Sequence, residues 1–154
     1  MTLLVKWLYL VILAMWVGGP MFLRGMVAPI VFHALNAEDA ARLIRRLVAR
    51  CYPVGVACAA AGIICVGLMI ADDVFGMWPA ILSLLLLAGA GAANWWLWRA
   101  VLPQLSALRS RADGKDAEAE REWKVLHRSV VRLNAAMWLG GLALLLLAVY
   151  GHAF

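Results

Sequence analysis

Cys51, Cys58 and Cys65 recur every seven residues in a stretch of small and apolar side chains. On an α-helix this spacing lines three thiols along one stripe. Thiols, together with the chain's seven methionines, are the donors that soft ions such as Cu(I) or Ag(I) select. Neighbours seven apart stand about 10 Å apart along a helix axis. They can neither close a disulfide within the helix nor share one ion, and the sequence contains no Cys-x-x-Cys. Core packing by small apolar thiols is the competing reading.

The histidines are His33, His127 and His152. His33 and His127 fall at helix ends on one side of the chain. As a pair they are candidate axial ligands for a b-type haem, with nearby arginines on its propionates. His127, Asn134, Trp138 and Gly141 share one helical face, at offsets of seven, eleven and fourteen residues. Arg24, Tyr52, Asn94, Arg99 and Ser129 fall in the same half of the chain's helices. Polar groups inside a membrane bundle face inward, where they find partners. These residues therefore compose a candidate basic, hydrogen-bonding pocket for an anionic group such as a lipid phosphate or a porphyrin propionate. The alternative is that they bond one another or snorkel to headgroups. Asp72 and Asp73 read as a solvated cap rather than a metal site. There is no glycine-rich phosphate loop, His-Glu-x-x-His or nucleophile elbow, and no catalytic residue is assigned.

The elements that position these groups follow from composition. Of 154 residues, 66% are apolar and 15% charged, against about half and a quarter in soluble domains. A soluble fold of this length has too little interior to hide that surface. Four apolar stretches, about 3–32, 52–71, 78–102 and 125–150, each exceed the ~20 residues needed to span hydrocarbon as a helix. The fold class is all-α, an integral membrane four-helix bundle forming one domain. The opening residues lack the pattern of a cleavable signal, and the first stretch reads as a retained span.

Charge orients the bundle. Of fourteen Lys and Arg, those between spans one and two and between spans three and four dominate, whereas the short link between spans two and three carries Asp72 and Asp73. The positive-inside rule then predicts cytoplasmic first and third connections and both termini outside. A net charge of +5 belongs to loops near anionic lipid rather than to nucleic-acid binding. Asn36 reads as the N-cap of an amphipathic cytoplasmic segment lying along the inner leaflet before it turns into span two. Residues 111–115 read as a turn. A cytoplasmic helical extension then runs from about Asp116 into span four. Small residues on spans two and three, including Gly55, Ala59, Gly62 and Ala88 to Ala93, suit close packing. Met15-Trp16-Val17-Gly18-Gly19 and Met137-Trp138-Leu139-Gly140-Gly141 form a weak internal repeat.

Several motifs resemble a known family. Trp16-Val17-Gly18 with residues 25–32, Arg50-Cys51-Tyr52-Pro53, Asn94 with Pro103, and Leu126-His127-Arg128-Ser129 followed by Leu133-Asn134 resemble the transmembrane protein 205-like four-helix membrane proteins. That resemblance implies architecture and no settled activity. A more distant one is to copper-resistance D-like and protoporphyrinogen-oxidase-like proteins. Those place a histidine early in helix one, where residues 3–12 here hold none.

The resulting expectation is a multi-pass protein of the inner (cytoplasmic) membrane. It is non-enzymatic, and it binds a ligand, carries one or serves as a subunit. Its partners would be membrane lipids, a second copy or a membrane complex. A b-haem redox protein and a soft-metal (copper) transporter are the alternatives, with His33, His127, Cys51, Cys58 and Cys65 as candidate metal ligands.

Overall fold

The computed structural model describes residues 2–73, 76–114 and 116–150. His152, Lys115 and the carboxyl end lie outside them. The described residues are helical throughout, apart from short turns: α1 (Thr2–Phe22), α2 (Ala28–Ala34), α3 (Ala37–Ala71), α4 (Met77–Trp96), α5 (Leu102–Asp113) and α6 (Ala117–Tyr150). Two wide turns, Leu23–Val27 and Leu97–Val101, join α1 to α2 and α4 to α5 without breaking the rod. Four helical rods result, of 32, 35, 37 and 34 residues, each long and apolar enough to cross a membrane.

Both wide turns have the same cause. In the first, the Ala28 N–H reaches back to the Leu23 carbonyl, and in the second the Leu102 N–H reaches the Leu97 carbonyl. Each is a five-residue step in place of the usual four. A proline follows immediately, Pro29 and Pro103, and a proline ring would collide with the carbonyl four residues back. Opening the turn by one residue relieves that collision and keeps the helix continuous.

Asn36 caps α3, accepting the Asp39 N–H on its side chain at 2.9 Å. The amphipathic segment and span two belong to one continuous helix, Ala37–Ala71, with Pro53 inside it. At its other end α3 stops at Asp72, and Asp73 takes φ 52°, a left-handed turn that Asp tolerates.

The rods form a square. α3 packs on α1 and α4, and α6 closes the ring against α1 and α4. The α3–α4 seam is the most extensive, and glycines make it so: an added Cβ on Gly62 would stand 3.0 Å from Leu87, and one on Gly91 3.1 Å from Ala59. Beyond the square, α5 and the start of α6 form an antiparallel hairpin. There Trp123 stacks on His127, ring centroids 4.8 Å apart, while the Arg109 guanidinium lies 5.2 Å from the Trp123 ring.

Two apolar cores fill the square. The first takes residues from all four rods, including Val5, Tyr9 and Leu13 of α1, Met69 of α3, Leu87 of α4 and Leu144 of α6. The second, around Tyr52, Leu97, Val101 and Val130, contains no residue of α1 or α2. Past Val17 nothing in the first rod is buried. Its latter half therefore adds nothing to either core, although α2 still packs beside α3.

Candidate functional site

The space under that half of the first rod is the candidate site. Gly19 and Gly25 line it without a side chain to fill it, and a Cβ built on either would meet no atom within 4 Å. Two clefts result. One, of about 390 Å³, opens between α1 and α6 and reaches Met137 and Trp138. The other, of about 430 Å³, opens between α1 and α3 and reaches Arg50, Cys51, Tyr52 and Gly55. They share Trp16, Pro20, Arg24, Asn94 and Asn134, so they are two mouths flanking one stretch of helix. Most of the lining is apolar, and neither cleft is lined by a carboxylate or an imidazole.

The polar floor is built by α4 and α6. Asn94 is buried, and its Nδ2 donates to the Ala90 carbonyl at 2.8 Å and toward Met137 Sδ at 3.5 Å. Gly55 permits this placement, since a Cβ there would stand 2.7 Å from Asn94 Oδ1. One turn deeper in the second core, Asn134 Nδ2 donates to the Val130 carbonyl at 3.0 Å and to the Tyr52 hydroxyl oxygen at 3.1 Å. In both amides the carbonyl four residues back fixes which end is nitrogen, because only N–H can face it. Tyr52 is thereby the acceptor in its contact with Asn134, and its own O–H proton stays available. The Trp138 Nε1–H is buried with no partner among the described residues. Arg24 lies within electrostatic reach of Cys51 and Tyr52, and has no acid or hydrogen-bond acceptor among the described residues.

Of the residues singled out from the sequence, Arg24, Tyr52, Asn94, Asn134 and Trp138 converge on these clefts. The other four do not. Arg99 lies over two indoles, 5.6 Å from both Trp95 and Trp98, within the second wide turn. Ser129 is exposed and donates to the Val125 carbonyl at 3.2 Å. His127 stacks on Trp123 in the hairpin. His33 is exposed on α2, which packs beside α3, and its ring makes no hydrogen bond, ion pair or ring contact among the described residues. Cys51 lines the α1–α3 cleft, while Cys58 and Cys65 are buried, Cys65 in the first core. No cluster of three metal-ligating side chains occurs among the described residues.

Sequence reasoning missed Trp16, Pro20 and Arg50 as cleft residues. A signal was present for the first two: Gly18-Gly19-Pro20 removes both side-chain bulk and a backbone donor immediately after an indole.

Residues 11–113 match the family model described as a domain of unknown function (DUF4149). No curated protein matches the chain, and neither does any solved structure.

Proposed function

We propose that the chain, which belongs to the DUF4149 family, is a non-enzymatic membrane module that holds a lipid-like ligand in the cleft system beneath its first rod. The observation that carries this reading is the pair of clefts sharing Trp16, Pro20, Arg24, Asn94 and Asn134. Their walls are apolar, their floor is polar, and both open sideways from the bundle. In a bilayer a sideways opening faces acyl chains, so an amphiphile enters without crossing water. A carrier or a subunit of a larger membrane complex would use the same site.

The orientation belongs to this proposal: the basic ends of the rods face the cytoplasm and the Asp72–Asp73 turn faces outward. It puts the clefts in the inner leaflet's half of the bundle. The motif resemblance to the transmembrane protein 205-like proteins supports the same architecture. The haem reading draws less support, because His33 is exposed on α2 whereas His127 stacks on Trp123. For soft-metal transport, the thiol stripe runs from a cleft wall into closed core, without a cluster of ligands.

The test fills the clefts where the structure is open. Gly19→Leu and Gly25→Leu add bulk at positions with no atom within 4 Å of the new Cβ. The purified full-length variants should keep the wild-type unfolding temperature and lose binding of a pyrene-labelled fatty acid. Undiminished binding in both would sink the reading.

A further inference from the structure

The charge lining the α1–α3 cleft is one-sided. Arg24 and Arg50 both line it, and neither has an acidic partner among the described residues. Tyr52 also lines it and, as the acceptor from Asn134, keeps its O–H proton to donate. The amide protons of Asn94 and Asn134 are already committed within the protein. What remains to meet a ligand is two guanidinium groups and a phenol as donors beside the two neutral Asn94 and Asn134 amide oxygens, with no carboxylate to balance the positive charge. Arg24 and Arg50 are themselves exposed at the cleft mouth, where guanidinium groups without a counter-ion favour an anionic guest and pair geometrically with a planar or tetrahedral oxyanion.

We infer that this cleft takes the anionic head, a phosphate monoester or a carboxylate, of a single amphiphile. Arg24, Arg50 and the Tyr52 hydroxyl hold the head, while the chain lies along the apolar wall by Phe22, Val27 and Val54. The inference rests on the lipid-binding reading above and adds the charge of the ligand and the residues that select it. Asn134 is a positioning residue: it turns the Tyr52 proton toward the guest by occupying the phenol's lone pair. The same anion chemistry could come from a lipid head or from free phosphate, and the apolar wall favours the lipid.

The experiment is competition against the pyrene-labelled fatty acid on the purified full-length protein in neutral detergent. Hexadecyl phosphate, hexadecanol and inorganic phosphate are the competitors. Wild type should prefer hexadecyl phosphate to hexadecanol by at least about tenfold, the size of one charge-assisted hydrogen bond. Tyr52→Phe and Asn134→Leu should each cut that preference about tenfold with hexadecanol affinity unchanged, and Arg24→Gln should do at least as much. Arg24→Lys, which keeps the charge, should retain most of it. A merely structural role for Asn134 would instead lower affinity for both competitors alike. Equal binding of phosphate and alcohol by wild type overturns the inference and leaves the lipid reading standing. An unchanged preference in Tyr52→Phe overturns the role given to the phenol. Competition by inorganic phosphate alone at similar concentration overturns the lipid source of the anion. Failure of every amphiphile to displace the probe overturns the reading beneath it.

Discussion

Gly55 and Asn94 meet across the α3–α4 seam so closely that a single methyl on the glycine would stand 2.7 Å from the amide oxygen. Asn94 is buried and bound to Ala90, so it cannot swing aside as a flexible surface side chain would. Gly55→Ala therefore sets two effects against each other. Helix propensity favours alanine by about 1 kcal/mol, while overpacking a fixed neighbour costs about 1–3 kcal/mol. The second should prevail, lowering the unfolding temperature of the detergent-solubilised protein by a few degrees and weakening ligand binding. An equal or higher unfolding temperature would show that the seam yields without loss.

Gly141 and Gly18, the fifth and fourth residues of the two Trp-bearing pentapeptides, have opposite surroundings. A Cβ on Gly141 would stand 2.6 Å from Val17 Cγ2, whereas one on Gly18 would meet nothing within 4 Å. Gly141→Ala should destabilise by about 1–3 kcal/mol, and Gly18→Ala should be neutral or stabilise by up to about 1 kcal/mol. Adding Val17→Ala to Gly141→Ala should recover part of the loss, because the two sites share one volume. Thermal unfolding of the three variants decides it; equal losses at both glycines would contradict the packing described.

Asp116 begins α6, its Oδ1 accepting the N–H groups of Ala119 and Glu118 at 3.1 Å and its Oδ2 taking the Arg111 guanidinium at 2.8 Å. The Ala119 N–H first, and the Arg111 side chain after it, hold this carboxyl below the usual carboxylate range. An unfolded chain thus takes up the proton more readily than the folded one. The stabilisation is complete above the ordinary carboxylate pKa of about 4 and fades as pH drops through the lower folded value. At neutral pH, amide exchange over residues 117–121 should quicken in Asp116→Ala and less so in Asp116→Asn, which keeps the cap. As pH falls through the lowered folded pKa the wild type should approach the Asn variant. Identical exchange in wild type and Asp116→Ala at neutral pH would mean that the cap does not hold the hairpin.

The sequence revealed the rods far better than it revealed the site. A membrane span announces itself through some twenty apolar residues acting together, so errors at single positions average out. The depth of a polar residue along a rod was legible for the same reason, and Arg24, Tyr52, Asn94 and Asn134 indeed fall in one half of the bundle. Which way each one faces was not. Asn94 and Arg99 lie five positions apart, yet one floors the clefts and the other rests on Trp95 and Trp98. His127 was read on the face of Asn134, and its ring instead stacks on Trp123, four residues earlier on the same helix. Nor could composition disclose that α1 leaves the second core, because that depends on what α3, α4 and α6 bury without it.

The paired five-residue steps at Leu23–Val27 and Leu97–Val101 have a consequence for comparing this chain with its kin. Each holds one residue more than an unbroken α-helix would need, so the azimuth of every later position is offset from the count begun at the amino end. A relative lacking either surplus residue would align gaplessly up to Leu23 or Leu97 and then present a different face, with Arg24 or Arg99 displaced around the cylinder. Single-residue gaps just ahead of Pro29 and Pro103 are thus the places where kinship in sequence would conceal divergence in what the molecule holds.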